Sequence, residues 1–230
     1  MKKLFMLIVL IFVMTLTCYG FGEKNSSDIS SKASYPYLID KFDDGNFNEN
    51  PEWFVFDNIV PSVVINSVLS KNKVEVAEYS LNITGAAKSW YVGGMGTVLG
   101  IDATPYDSFD VNVYSNGEGS GLLKVELYDD DNLNDKVEVD KNWKPTEDDL
   151  WVYELKIDWK GWKHISIPFA DFVNQGRGNG IFDPNLKEGS SGLNKIQLIV
   201  VANSEDGNVD FNLDTIELGL SSSDAGDKGM

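Results

Sequence analysis

The side chains able to do chemistry in this chain are almost all carboxylates, amides and aromatic rings. One histidine, His164, and one cysteine, Cys18, stand among 36 Asp and Glu residues. A single thiol cannot close an intramolecular disulfide, and a Cys/His zinc site needs several such ligands in a cluster. Hydrolysis needs a base with a nucleophile, or two carboxylates at a set separation. His164 lies in Trp162-Lys-His-Ile-Ser-Ile167, where it alternates away from Ile165 and Ile167 as an outward, structural histidine does. No Gly-x-Ser-x-Gly elbow accompanies it, and among 36 carboxylates a neighbouring pair means little. No catalytic residue is assigned. Nucleic acid is a poor partner as well, because a chain of formal charge −17 gains nothing from counterion release.

Carboxylates do suit calcium, a hard cation that takes six to eight oxygen ligands. Three clusters have the composition: Asp40, Asp43 and Asp44; the run Asp129 to Asp135; and Asp210, Asn212 and Asp214. The middle run is no EF-hand, since Leu133 occupies the fifth ligand position and no glycine falls at the sixth, so it reads as a solvated turn.

Aromatic rings and amides suit sugars, whose C–H faces stack on flat apolar surfaces while their hydroxyls take hydrogen bonds. Trp90 and Tyr91 are adjacent, so on a strand one of them must leave the core, and they precede Gly93-Gly-Met-Gly96, where missing side chains permit close approach of a ligand or another chain. Trp143 sits in Asp140-Lys-Asn-Trp-Lys-Pro145 without apolar neighbours. Arg177, in Gln175-Gly-Arg-Gly-Asn-Gly180, can donate to hydroxyls or an acidic sugar. These four residues are the candidate sugar contacts, and Trp53 reads as a packing residue.

The elements that must position them are strands. Phe109, Val111 and Val113 alternate with polar residues, as do Leu123, Val125 and Leu127, and Trp151, Tyr153, Leu155 and Ile157. The segment 195–202 turns apolar on both faces after Gln197 and reads as a central strand; 74–83, 162–167 and 209–218 complete a set of long strands. In the last, the apolar positions change from odd (Val209, Phe211, Leu213) to even (Ile216, Leu218), which predicts a bulge near Asp214 or Thr215. No ten-residue segment has helical periodicity. Eight to eleven strands are expected over 35–220, and they predict an all-β, two-sheet antiparallel β-sandwich of the jelly-roll type.

The ends read differently. Lys2 and Lys3 precede an apolar run from Leu4 to Met14, about half the length that spans a bilayer, so residues 1–22 are expected to be a secretory signal peptide. Cys18 falls where a bacterial lipoprotein signal places its acylated cysteine, and 23–34 is a polar tether; cleavage after Gly20 or Gly22 would instead discard Cys18. The expected location is extracytoplasmic, secreted or membrane-anchored through a lipid on Cys18. The tail 221–230 has almost nothing to pack.

Four segments in order carry a resemblance: Tyr37-Leu-Ile-Asp-Lys-Phe-Asp-Asp-Gly45 with Trp53, Trp162 to Phe172 with its Ile-Ser-Ile-Pro-Phe run, Leu193-Asn-Lys-Ile-Gln-Leu198, and Phe211 to Leu218. Their order resembles that in jelly-roll carbohydrate-binding modules of the galactose-binding-like superfamily, family 11 and the complex-I intermediate-associated type in particular. The resemblance implies a non-catalytic protein that binds a polysaccharide or other glycan at the cell envelope. It also implies a structural calcium held by Asp43 and Asp214. The alternative is an adhesive or structural envelope protein that uses the same jelly roll for protein contacts.

Overall fold

The computed structural model describes residues 33–66, 74, 76–117, 120–187 and 189–220. The expected signal peptide with Cys18, residues 23–32 of the tether, and the tail 221–230 lie outside the described residues.

Among the described residues, twelve strands form two six-stranded antiparallel sheets. Sheet I contains β1 (Tyr37–Asp40), β3 (Ile59–Ile65), β4 (Tyr79–Ala86), β6 (Ser108–Asn116), β9 (Lys160–Pro168) and β12 (Asn208–Gly219), in the order β3-β4-β12-β6-β9 with β1 also on β12. Sheet II contains β2 (Phe54–Asp57), β5 (Tyr91–Ile101), β7 (Leu122–Asp129), β8 (Asp149–Lys156), β10 (Val173–Asn174) and β11 (Leu193–Val201), in the order β10-β8-β7-β11-β5-β2. The single helical element among the described residues is a 3-10 turn at Phe169–Asp171. The chain is the all-β sandwich that the alternating pattern predicts.

The alternating apolar residues meet between the sheets. Leu81, Ile83, Val111, Val113, Phe211 and Leu213 of sheet I form one buried cluster with Leu123, Val125, Ile196 and Leu198 of sheet II. The expected strand 74–83 begins only at Tyr79 and runs on to Ala86.

The phase change in β12 is a bulge. Its register against β6 shifts between Asp214 and Glu217, and Thr215 has a left-handed φ of +45°. Before the bulge β12 pairs with β4 through Leu213, and beyond it Ile216 to Leu218 pair with β1. The extra residue lets both halves of one strand send apolar side chains inward, and it leaves Asp214 fully buried at the junction.

Candidate functional site

The outer face of sheet II is a groove. Its floor is built by residues that alternate away from the core: Lys195, Gln197 and Ile199 of β11, with Glu126 and Tyr128 of β7 opposite Gln197 and Lys195. This explains why β11 is apolar on both faces, since Ile199 lies on the groove floor while Ile196, Leu198 and Val200 fill the core. The groove extends from β2 at one edge to Gln175, just beyond β10, at the other, and has a volume of about 830 Å³. At strand spacings near 4.8 Å, crossing six strands gives a length of roughly 24 Å.

One edge is an aromatic platform. Phe54 and Phe56 of β2 pair with Gly96 and Gly94 of β5, and their rings are stacked at 6.2 Å and 25°. A Cβ on Gly94 would lie 2.5 Å from Phe56 Cζ, and one on Gly96 2.6 Å from Phe54 Cζ. Only glycine lets these rings lie down on the sheet. The approach expected at Gly93 to Gly96 is therefore made by the chain's own phenylalanines. Tyr91, at the start of β5, donates its hydroxyl to Asp57 Oδ2 at 2.7 Å and ties β5 to β2 beside the platform. Burial, with Asp57 beside it, pushes this phenol above its usual range.

The far wall is a hairpin between β7 and β8. Val139 bridges Pro145, Asp140 N–H donates to Lys144 O at 2.8 Å, and Asp140 Oδ1 accepts the N–H groups of Asn142 and Lys144. Trp143 sits at its tip with a φ of +60°, 79% exposed, and lines the groove together with Val139 and Leu150. On the floor, Tyr128 donates to Glu126 Oε2 at 2.8 Å, while the Lys195 ammonium sits 4.0 Å above the Tyr128 ring. Desolvation raises the Glu126 carboxyl above its usual range and lowers the Lys195 ammonium, so both charges are held where water is scarce.

Behind the hairpin lies a buried acidic cluster. One carboxylate oxygen from each of Asp129, Asp131 and Asp149 lies within 4.8 Å of the others. Asp129 accepts from Trp151 Nε1 at 3.0 Å and Asp183 N–H at 3.3 Å; Asp149 accepts from the N–H groups of Gly178 and Gly180 at 3.0 and 2.6 Å; Asp131 Oδ2 accepts Asp149 N–H at 2.9 Å. Asp131 Oδ1 is buried and has no hydrogen-bond partner. Burial first, and then the charges of Asp131 and Asp149, push the Asp129 carboxyl up to about 8. Asp131 is pushed up to about 6 by burial and by Asp149. Three oxygens collected in this way repel one another when ionised, and a cation among them would relieve that repulsion.

The solvated turn expected over Asp129 to Asp135 holds for Leu133 to Asp135, which are exposed, and is corrected at its start, where Asp129 is 1% exposed and Asp130 6%. Asp130 gathers the loop by accepting from the N–H groups of Leu133, Asp135 and Ser191, and these bonds hold its carboxyl below the usual range despite the desolvation that opposes them. The covering segment is 175–183, and it closes over the acids through Gly178, where a Cβ would collide with Asp131 Oδ2. The residue type of Gly178 was a signal, but only the fold tells which carboxylates it faces.

No family model matches the chain, and no curated protein matches it. Solved structures do. The family 11 carbohydrate-binding module of the cellulosomal cellulase Lic26A-Cel5E of Clostridium thermocellum superposes with a TM-score of 0.50 at 18% identity, covering 82% of this chain and 96% of that one. An exo-beta-agarase gives a TM-score of 0.50 at 13% identity over 80% of this chain and 25% of the agarase. A Clostridium thermocellum family 11 module in complex with a beta-1,3-1,4-mixed-linked tetrasaccharide gives 0.48 at 19% identity, over 82% and 98%. This chain has the fold of the jelly-roll carbohydrate-binding modules.

Within this jelly roll the sequence candidates are spread out. Tyr91 and Trp143 both line the groove, at opposite ends. Trp90, half exposed with a φ of +75°, precedes β5 in a turn whose N–H and carbonyl bond Glu205 and Ala202, away from the groove lining. Arg177 is exposed on the loop over the acidic cluster, two residues from Gln175, which does line the groove. Trp53 packs in the core and donates to Asp40 Oδ2 at 2.8 Å. Asp43 and Asp214 are brought close enough to feel each other's charge. Asp214 accepts Ala77 N–H at 2.8 Å, whereas Asp43 pairs with Lys41 at 2.8 Å and keeps Oδ1 buried and unpartnered. Phe54, Phe56, Gln197, Glu126 and Lys195 escaped the sequence reading, although the Phe-Val-Phe alternation and the polar break at Gln197 were visible signals.

Proposed function

We propose that this protein is a non-catalytic glycan-binding module that holds a polysaccharide chain across the strands of sheet II. The observation that carries the reading is the platform of Phe54 and Phe56 laid over Gly94 and Gly96 at one end of a groove whose other end carries Trp143. Two aromatic ends supply stacking faces, while Gln197, Glu126 and Lys195 between them supply amide, carboxylate and ammonium partners for hydroxyls. The groove is open and preformed. A few stacking contacts at such a platform give micromolar or weaker affinity. The fold shared with a family 11 module supports the same reading.

The cation we assign to Asp129, Asp131 and Asp149 is calcium, because the donors are all hard oxygens and the unpartnered Asp131 Oδ1 leaves one of them without a ligand. Bound there, calcium would supply the positive charge that offsets three crowded carboxylates, two of them buried. It would thereby fasten the 175–183 loop and the hairpin that carries Trp143. A second calcium between Asp43 and Asp214 would use the unpartnered Asp43 Oδ1, leaving Lys41 on Oδ2. Delivery outside the cytoplasm, by the apolar run from Leu4 to Met14 and with Cys18 as a lipid anchor, completes the proposal and places the groove where glycans are met.

The test is binding to an array of plant, algal and bacterial polysaccharides, in calcium and again in EDTA. Saturable binding to one glycan class is the expected result. A folded protein that binds none of them would overturn the reading and favour an adhesive role through protein contacts.

A further inference from the structure

Sheet I carries a second depression on its own outer face. One cross-strand row runs over five of the six strands: Ser62 of β3, Asn82 of β4, Asn212 of β12, Tyr114 of β6 and Trp162 of β9. Against this row, Asp210 and Asn116 help line a depression of about 320 Å³. The side chains are fixed in place. Asn82 Nδ2 donates to Asp210 Oδ1 at 2.9 Å and to Asn212 Oδ1 at 3.2 Å, Asn212 Nδ2 donates to Ser80 Oγ at 2.9 Å, and Tyr114 leans on Trp162 with ring centroids 5.5 Å apart.

Those bonds use only half of the available chemistry. Among the described residues, Asn82 Oδ1, Asp210 Oδ2, the Asn116 amide, the Tyr114 hydroxyl and the Trp162 indole N–H have no hydrogen-bond partner. Two acceptors, one donor and two groups that do both converge beside the Tyr114 ring and the apolar Val64. An anion would meet Asp210 in a chain of formal charge −17, and a cation would find a single carboxylate already engaged by Asn82. A neutral polyhydroxy ligand matches both the mixed donors and acceptors and the aromatic face.

We propose that this depression is a second, smaller saccharide site that takes one or two sugar units on the face opposite the groove. Its volume stands at the lower end of small-molecule sites, where the groove of sheet II stands near the upper end. With sites on opposite faces of the sandwich, one molecule touches two glycan chains at once, or an internal stretch of one chain and a branch of another. The argument stands on its own donors and acceptors and does not need the groove to be occupied.

The experiment is a nitrogen–proton NMR titration of the protein with glucose, galactose, xylose and cellobiose at millimolar concentrations. Saturable shifts of the Trp162 indole and of the Asn116 and Asn82 side-chain amides by at least one sugar are expected, unchanged in Trp143→Ala. Tyr114→Phe and Asn116→Ala should each weaken that response about fivefold, the loss of one hydrogen bond. Both changes leave the core untouched, and an unaltered backbone spectrum verifies this. Shifts confined to the Trp143 indole and the Gln197 amide would overturn the second site while upholding the groove. Shifts at Trp162 and Asn116 without any at Trp143 would uphold the second site and count against the groove. No shift at Trp162, Asn116 or Asn82 with any of the four sugars, or equal shifts in the Tyr114→Phe/Asn116→Ala double variant, overturns the proposal.

Discussion

Replacing Trp143 by alanine separates binding from folding more cleanly than any other change in the groove. The indole is 79% exposed at the tip of the 138–146 hairpin. Of about 200 Å² that a tryptophan side chain can bury, only roughly 40 Å² is covered in the free protein, worth about 1 kcal/mol at 25 cal/mol/Å². For a domain of this size that lowers Tm by about 2–4 °C. The left-handed φ of +60° costs the same for alanine as for tryptophan, since both carry a Cβ. A sugar ring stacked on one indole face covers about half of the remaining surface, roughly 80 Å², or about 2 kcal/mol of binding. Affinity should therefore fall by about 30-fold. Isothermal titration with the best-bound glycan of the array, paired with a thermal melt, reads both numbers. A change in affinity below about twofold, or a Tm loss well beyond the 2–4 °C worked out above, would show that Trp143 is not a stacking face or that its hairpin is part of the core.

Three further outcomes follow from the same geometry. Gly96→Ala places a Cβ 2.6 Å from Phe54 Cζ and 2.7 Å from Ile196 O, so it should lower stability by about 1–3 kcal/mol in urea unfolding and weaken glycan binding as the platform lifts. Asp131→Asn should abolish the rise in Tm that calcium gives the parent protein, because it removes one of the three negative charges around the cation and turns the group that carries the unpartnered Oδ1 into a neutral amide. The Asp40 carboxyl, 7% exposed, is raised by burial to about 6 while Trp53 and Phe42 donate to it. Because its folded value lies above its unfolded one, the folded state binds the extra proton, and this contribution of up to about 3 kcal/mol is full below pH 4 and fades as pH rises through 6. Asp40→Asn should flatten the stability profile over that window.

The fold was legible because one face of nearly every strand is buried, and a period of two records that directly. The bulge in β12 was legible for the same reason: Leu213 and Ile216 cannot both face inward without an extra residue between them. The site was legible only where one residue's surroundings decide its exposure, as for Trp143 in its polar hairpin. The platform was not, because Phe54 and Phe56 become a surface only when β2 pairs with glycines some forty residues further along the chain. The acidic cluster was hidden likewise. Asp149 belongs to the next strand after the Asp129–Asp135 run, and the loop that buries them arrives through Gly178. Trp90 shows the limit of arguing from adjacency, because it stands in the turn before β5 and takes no part in that strand's alternation.

The central claim, a glycan held across sheet II, is tested most directly by affinity electrophoresis through gels cast with mixed-linkage glucan, xylan or agarose. The wild-type protein should be retarded by one of them in proportion to its concentration, and a Trp143→Ala/Gln197→Ala variant should run as in an empty gel. Wild-type protein that migrates freely through all three, or a double variant retarded as strongly as the wild type, would contradict the account.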